Sequence, residues 1–224
     1  MAMMHWRSLW LLLAGLLALA FFLVIPFLLR RTPGQDGAGA AALATESDRV
    51  SWTRGEVLRD PRFYCIVPVS LVFSAVLTGL LFHQVYLVEV KGWSLSWWSL
   101  SFAAFALASI AGNLSTGLLV DRFSAARMVP ISLLPMAVGL LLLALGQNLL
   151  WAPLALALMG VSAGAESTSL SALWAELYGP RHLGAIRAIA AVVMVFSSAL
   201  GPFALGLPLD AGVPLPSSFT LVSA

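Results

Sequence analysis

Long stretches without charge are the feature that most constrains how this chain folds. Five stretches of 22 or more residues carry no Asp, Glu, Lys or Arg: 8–29, 63–88, 92–120, 128–165 and 188–209. An α-helix rises about 1.5 Å per residue, so roughly 20 apolar residues cross the ~30 Å hydrocarbon core of a bilayer. The stretches show no alternation of apolar and polar residues, which favours membrane-spanning helices over the strands of a membrane barrel.

The stretch 128–165 is too long for one membrane helix, and the turn-forming residues Gly146, Gln147 and Asn148 divide it. We therefore predict an all-α integral membrane fold with six transmembrane helices. Their expected positions are about 9–29, 63–87, 95–120, 128–145, 149–173 and 183–209. The first apolar run exceeds the roughly 7–15 residues of a signal-peptide core, so we interpret it as a membrane helix as well.

Composition excludes several other classes of protein. Hydrophobic residues make up 60% of the chain and charged residues 10%, whereas a soluble domain carries about 25% charged residues. The single cysteine, Cys65, excludes an internal disulfide framework and a metal site built from cysteines. A net charge of +2 gives no support for nucleic-acid binding. The sequence contains no phosphate-binding loop and no His-Glu-x-x-His zinc motif, so we expect neither a cofactor nor a metal.

The basic residues predict the orientation. Ten arginines fall on one side of the predicted helices, and Arg7 and Lys91 fall on the other. Because basic residues stay in the cytoplasm, we expect both ends of the chain on the outer side. This divides the chain into a first membrane helix at 1–29, a cytoplasmic loop at 30–62, a five-helix bundle at 63–209 and an external tail at 210–224. Tryptophans near the outer helix ends are typical of an interfacial belt: Trp6, Trp10, Trp93, Trp97, Trp98 and Trp151.

Two helix starts are predicted at the end of the loop 30–62. Thr53 and Glu56 have the spacing of a capping box for a short helix. Asp60 followed by Pro61 is typical of the N-cap and first residue of a helix, so we expect the second membrane helix to begin there.

Two of the cytoplasmic connections carry patterns that resemble a known family. Residues 117–127 read GLLVDRFSAAR, and residues 172–187 read ALWAELYGPRHLGAIR. The first resembles the Gly-x-x-x-Asp-Arg loop signature of the major facilitator superfamily of secondary transporters. The second resembles the loop between helices ten and eleven of bacterial members. Gly201-Pro202 with Gly206 resembles the helix-breaking pattern of helix eleven.

The resemblance covers nearly the whole chain, but the first predicted helix does not correspond to the first helix of the family. The loop 30–62 resembles the central loop between the two six-helix halves, so the first predicted helix corresponds to helix six and the others to helices seven to eleven. This implies a partial major-facilitator-like fold, from a truncated gene or gene model. Ser124 stands where the family usually has Gly, while Ala125 and Ala126 stand where it usually has basic residues, with Arg127 one place late.

The resemblance also implies a gating loop formed by Gly117, Asp121, Arg122 and Arg127. In the family, the Asp–Arg pair latches one helix bundle to the other, and charge-assisted bonds of this kind can differ between two conformations. The other interpretation is that Arg122 and Arg127 only keep the loop in the cytoplasm.

Glu166 is the strongest candidate for a functional residue within a predicted membrane helix. An ionisable group at membrane depth is costly and is by default a functional hypothesis. Ser162 and Ser169 lie four residues before it and three after it, so they share its helix face. The resemblance places this helix against the central cavity, which suggests a substrate or proton contact. The alternatives are a protonated Glu that bonds a neighbouring helix, or one that reaches toward the cytoplasm.

Three further polar residues are candidates for substrate contact. His83 and Gln84 lie near the outer end of the second predicted helix, where such residues more often lie at headgroup level. Asn113 shares a helix face with Ser109 and Gly117, which favours a hydrogen bond across helices over substrate binding.

Gly160, Ser162 and Gly164 belong to two patterns at once. The two glycines form a Gly-x-x-x-Gly, which permits close helix packing. The same residues spell the Gly-x-Ser-x-Gly of serine hydrolases, which needs a strand–turn–helix elbow and a His within hydrogen-bond reach. Neither is expected here.

We therefore predict a protein that is not an enzyme and that belongs to the bacterial inner membrane as a multi-pass protein. The expected function is secondary transport of a small solute by alternating access, without ATP. Expected partners are the lipid bilayer and a small-molecule solute, with a complementary helix bundle as a further candidate. The alternatives are a non-transporting membrane remnant, a half-transporter that depends on a partner and, third, an intramembrane serine hydrolase at Ser162.

Overall fold

The computed structural model describes residues 52–210, with side chains up to 202, together with Gly15 and Leu19. The predicted helix at 1–29, most of the loop 30–62 and the tail beyond 210 therefore lie outside the described residues. The described part of the chain contains helices and no strand. The helices are α1 (Arg54–Val57), α2 (Pro61–Phe82), α3 (Gln84–Lys91), α4 (Leu95–Phe123), α5 (Ala125–Ile131), α6 (Leu133–Leu145), α7 (Trp151–Tyr178) and α8 (Leu183–Asp210).

Four described stretches are long and apolar enough to cross a membrane, which confirms an all-helical fold built from membrane-length helices. They are Pro61–Phe82, Leu95–Phe123, Ala125–Leu145 and Leu183–Pro202. The α7 helix has the length of a span but is not among them. The reason is that Glu166, Glu176, four serines and a threonine lower its hydropathy.

The predicted helix starts before the bundle are confirmed. Glu56 accepts hydrogen bonds from Thr53 N–H at 2.7 Å and Thr53 Oγ1 at 2.8 Å, as in a capping box. The backbone bond is the main reason that the pKa of Glu56 is lowered. Asp60 accepts the Arg62 N–H at 3.0 Å, and Pro61 is the first residue of α2.

The prediction of one continuous helix at 63–87 is wrong, because His83 separates α2 from α3. The carbonyl oxygen of Gly79 accepts the His83 backbone N–H at 3.1 Å, and the His83 ring Nδ1 lies 3.0 Å from the same oxygen. The His83 backbone departs from helical angles, at φ −96° and ψ 12°, and the regular helix is interrupted there.

The predicted helix at 128–145 also divides, between α5 and α6 at Ser132. Pro135 has no N–H to donate four residues back, and its ring crowds the carbonyl of Ile131. Ser132 Oγ donates to the Val129 carbonyl at 2.7 Å, which satisfies one backbone group at the break. The predicted turn after this helix is confirmed, since α6 ends at Leu145 before Gly146.

The α7 helix lies at the centre, packed against α4, α5 and α6, and half of its 28 residues are buried. A Cβ added at Gly160 or Gly164 would overlap the backbone carbonyl of Phe105 or Ser109 on α4. The close packing predicted from the Gly-x-x-x-Gly pattern is therefore confirmed. We call α4, α5, α6 and α7 together the α7 block.

The α2 and α8 helices form a second unit, the α2–α8 pair. Ser74 Oγ of α2 donates to the Met194 carbonyl at 3.3 Å, and Ser197 Oγ of α8 donates to the Leu71 carbonyl at 2.6 Å. Gly201 meets the backbone of α2 so closely that a Cβ there would overlap it. The pair is thus held by bonds in both directions.

Two of the six tryptophans predicted for an interfacial belt are buried, and Trp6 and Trp10 lie outside the described residues. Trp98 is 0% exposed and donates to Gln84 Oε1 at 2.9 Å, while Trp93 is 7% exposed and donates to the Gln147 carbonyl at 3.1 Å. These two indoles therefore hold neighbouring loops together at the end of the bundle that carries α3, while Trp97 and Trp151 are part-exposed.

Candidate functional site

Glu166 lies in the middle of α7 and is 4% exposed. Ser70 of α2, also 4% exposed, lies near its carboxyl group. The Oε1 oxygen makes no hydrogen bond within the described part of the chain. Burying a carboxyl group with an unsatisfied oxygen is costly, so this position suits a group that exchanges a proton or meets a ligand.

The two serines that share the face of Glu166 have different surroundings. Ser162 is buried, and its hydroxyl donates to the Ser132 carbonyl at the break between α5 and α6. Ser169 is 0% exposed, and its Oγ has no hydrogen-bond partner among the described residues. Glu166 and Ser169 thus offer unsatisfied oxygens one turn apart, whereas Ser162 is occupied with packing.

A groove of 390 Å³ lies open on the surface between α4 and α7. Its lining combines apolar side chains with three polar residues and comprises Phe105, Ser109, Ile110, Asn113, Leu114, Ala163, Gly164 and Ser167. Asn113 is exposed there, and its side-chain amide makes no hydrogen bond to a described residue. The bond that crosses between the helices runs from Thr168 Oγ1 to the Asn113 backbone carbonyl, at 3.5 Å. The hydrogen bond expected of the Asn113 side chain is therefore made by its backbone.

The residues of the predicted gating loop lie at the end of α4 and the start of α5. Asp121, Arg122 and Arg127 are exposed, and no ion pair joins them to a described residue. The Arg122 guanidinium lies 5.7 Å from the centroid of the Phe123 ring. Gly117 has open space beside its Cα. A latch between this loop and another helix bundle stays a prediction.

His83 and Gln84 do not approach Glu166. The His83 ring contacts the carbonyl of Gly79 in its own helix, and Gln84 accepts the Trp98 indole N–H. His83 lies 13 residues beyond Ser70 along the chain, which corresponds to about 20 Å of helix. Both residues therefore help to hold the end of the bundle that carries α3.

A family model described as Major Facilitator Superfamily matches residues 1–211. The chain belongs to the major facilitator superfamily. Members of this superfamily are secondary transporters, so this is a multi-pass integral membrane protein of a transporter family. No curated protein and no solved structure matches the chain.

Ser124 occupies the loop position where members of the superfamily usually have glycine. This residue ends α4 with φ 73° and ψ 142°, a backbone conformation that favours glycine. Gly179 ends α7 with nearly the same angles, φ 77° and ψ 165°. The position where the family usually has Gly thus keeps a glycine-like backbone here, although the residue has changed.

Glu176 is a contributor to this superfamily loop that the sequence did not identify. Its Oε1 accepts the Ala125 N–H at 3.1 Å, and its Oε2 accepts the Ser124 hydroxyl at 3.4 Å. A carboxylate at the first N–H groups of a helix satisfies donors that have no partner within the helix. The sequence does show an acidic residue at the end of α7. Its partner Ala125 lies 51 residues away in the chain, so no local pattern connects the two.

The structure of this superfamily member therefore separates the candidates into three places. Glu166 and Ser169 lie inside the bundle facing Ser70, Asn113 lies with Ser109 and Ser167 in the surface groove, and the loop residues lie at one end of the bundle. Within the part of the chain that is described, no three His, Cys, Asp or Glu side chains come together to hold a metal.

Proposed function

We propose that this chain takes part in secondary transport of a small, uncharged, polar solute that binds in the groove between α4 and α7. The Asn113 side-chain amide, which is exposed in the groove and makes no hydrogen bond to a described residue, carries the proposal. An amide with no partner is costly against lipid, so polar residues at this depth face water, a ligand or protein. Membership of a family of secondary transporters supports a solute as the ligand.

The chemistry of the groove supports the class of solute. Its volume of 390 Å³ falls within the roughly 300–1,000 Å³ of small-molecule sites. The lining supplies an amide, Asn113, and two hydroxyls, Ser109 and Ser167, beside apolar and aromatic side chains. None of the lining residues is charged, and a charged solute at membrane depth would need a partner of opposite charge. A neutral molecule with hydrogen-bonding groups and an apolar side meets these conditions.

The transport cycle would need a second wall for the groove. Alternating access moves two bundles about one site, so we propose that a complementary helix bundle covers the exposed face of α4. The gradient of the solute or of an ion would supply the energy. For an ion-coupled cycle, Glu166 is the candidate that exchanges a proton. The location that we propose is the inner membrane of a bacterium.

Solute binding and uptake test the proposal. We expect one of three labelled uncharged solutes, a hexose, a polyol or a nucleoside, to raise the melting temperature of the protein in detergent, and to be taken up by proteoliposomes that also contain a complementary helix bundle. A ligand at 100 times its dissociation constant stabilises by about 2.7 kcal/mol. Asn113→Leu should weaken binding by roughly 5- to 30-fold, since one hydrogen bond to a buried polar group is lost.

The matched control is Ser115→Ala, because Ser115 lies on the same helix and bonds only carbonyls of its own helix, Ala111 at 2.7 Å and Gly112 at 3.2 Å. This variant should bind and transport like the parent chain. Binding without uptake would support a half-transporter that needs its partner bundle. A chain that binds none of the three solutes, or one that prefers a charged solute, would overturn the proposal.

A further inference from the structure

The short α1 helix lies against the end of the bundle and carries arginines on its outer side. Val57 is 0% exposed and belongs to the same buried core as the membrane-length helices. The helix also packs against α8. Arg54, the first residue of α1, and Arg59, just after it, are exposed. The buried valine therefore fixes α1 to the bundle, while the two guanidinium groups stay accessible.

Contacts with α7 hold the segment before α1 in place. The Trp52 backbone N–H donates to the Tyr178 carbonyl at 3.0 Å, and the two ring centroids lie 5.6 Å apart in an edge-on arrangement. The capping box between Thr53 and Glu56 then sets the direction in which α1 leaves. A partner that binds α1 consequently meets a backbone that is already ordered, which lowers the entropy lost on binding.

Two apolar side chains are exposed beside the arginines. Leu58 is 42% exposed and Tyr64 is 58% exposed, and the Tyr64 hydroxyl donates to the Leu58 carbonyl at 2.9 Å. Tyr64 belongs to the first turn of the apolar span Pro61–Phe82. A tyrosine at the end of a membrane helix is typical of the level of the lipid headgroups. The exposed apolar pair therefore lies where the bilayer begins.

The surface around this pair is positively charged. It carries Arg54, Arg59 and the half-buried Arg62, and none of the three forms an ion pair with a described residue. The two carboxylates of the same segment compensate little of this charge. Glu56 is taken up by the capping box, and Asp60 is 8% exposed and accepts the Arg62 backbone N–H at 3.0 Å. Three arginines thus face one exposed carboxylate.

We propose that this surface binds the headgroups of anionic phospholipids. We call it the α1 surface, and it consists of Arg54, Leu58, Arg59, Arg62 and Tyr64. Guanidinium groups bind phosphate oxygens in pairs, and basic residues at the end of a membrane helix attract anionic lipids. An acidic protein would satisfy the same charges, but the apolar pair lies at the start of a membrane span, which favours lipid. The proposal goes beyond solute transport and does not depend on the groove.

Native mass spectrometry of the full chain in detergent, with lipids added, tests the proposal. Phosphatidylglycerol should bind at least tenfold more tightly than phosphatidylcholine with the same acyl chains. The double variant Arg54→Gln/Arg59→Gln should lose most of this preference, because each basic residue near an anionic surface contributes roughly fivefold. Its affinity for phosphatidylcholine should change by less than about twofold, since neither arginine is needed for the apolar contact. Both arginines are exposed, so the variant should melt like the parent chain without lipid.

The matched control is Arg122→Gln/Arg127→Gln, which removes the same charge at the same end of the bundle. These arginines flank the connection that Glu176 contacts, whereas Trp52 contacts Tyr178. Two residues along a helix differ by about 200° around its axis, so the two contacts lie on different faces of α7. The control should therefore keep the full preference for phosphatidylglycerol.

The parent chain offers a further measurement that needs no variant. Its preference for phosphatidylglycerol should fall as ionic strength rises, because salt screens exposed charges. Equal binding of the two lipids, a preference that does not respond to salt, or an equal loss in both double variants would overturn the proposal. Displacement of the lipid by glycerol phosphate alone would overturn it as well, since a free anion would then suffice. None of these results would affect solute binding in the groove.

Discussion

Ser124 is the one residue other than glycine that has a positive φ in the described part of the chain. At φ 73° and ψ 142°, its Cβ crowds the neighbouring backbone, and such conformations cost roughly 1–3 kcal/mol. The bond from its hydroxyl to Glu176, at 3.4 Å, offsets little of this because the bond is long and the group is exposed. Gly179 has nearly the same angles without the cost.

Replacement by glycine should therefore stabilise the fold. We expect Ser124→Gly to raise the free energy of unfolding by about 1 kcal/mol, which corresponds to roughly 2–4 °C in melting temperature for a chain of this size. The reverse change at the matched position, Gly179→Ser, should lower it by a similar amount. Thermal unfolding in detergent measures both. Unchanged melting in both variants would mean that neither backbone is strained.

The packing of α7 against α4 depends on glycine at the scale of whole helices. Gly164 leaves no room for a Cβ, whereas Gly117, on the same α4 helix that α7 contacts, has open space around it. Glycine therefore has two different roles in the two helices, although the spacing of the residues alone does not distinguish them.

Alanine substitution separates these two roles. Gly164→Ala should destabilise the protein by about 1–3 kcal/mol, since the added methyl group overlaps the α4 backbone. Gly117→Ala should be neutral or stabilising by up to about 1 kcal/mol, because alanine favours the helix. Unfolding of both variants in detergent gives the comparison. A loss of stability at Gly117 as large as at Gly164 would contradict the packing described here.

Charge is distributed unevenly between the two ends of the whole molecule. All seven arginines in the described part of the chain lie at the end where α2 and α8 begin and α4 and α7 finish: Arg54, Arg59, Arg62, Arg122, Arg127, Arg181 and Arg187. Lys91 lies at the other end, where it is buried and donates to the Gly146 carbonyl. This asymmetry predicts that the arginine-bearing end faces the cytoplasm.

Single cysteines in a Cys65→Ser chain test this orientation. Gly55→Cys and Ser96→Cys occupy exposed positions at opposite ends. In intact cells, an impermeant thiol reagent should label Ser96→Cys and leave Gly55→Cys unlabelled until the cells are opened. The reverse pattern would invert the topology and contradict the basic-residue argument.

Local features of the fold were accessible from the sequence. The capping pair Thr53 and Glu56, the N-cap Asp60 and the turn at Gly146 act within a few residues of themselves, so their patterns predict structure directly. The breaks at His83 and Ser132 were missed. At His83 the backbone leaves the helical angles, at φ −96° and ψ 12°, inside an apolar run that gives no signal of it; at Ser132, Pro135 acts from within an otherwise apolar run.

The sequence by itself determined that this chain consists of apolar, membrane-length helices with arginines gathered at one end, and it carried the signature of its family. The length of each uncharged stretch and the basic residues in each loop are local properties of the sequence. They can be recognised without knowing any tertiary contact. Only the tertiary structure decided that Glu166 is buried near Ser70, that the Asn113 amide lies in a groove between α4 and α7, and that Glu176 caps α5. These depend on how far each helix is rotated about its axis, which is set by the backbone contacts at Gly160, Gly164 and Gly201 between residues distant in the chain.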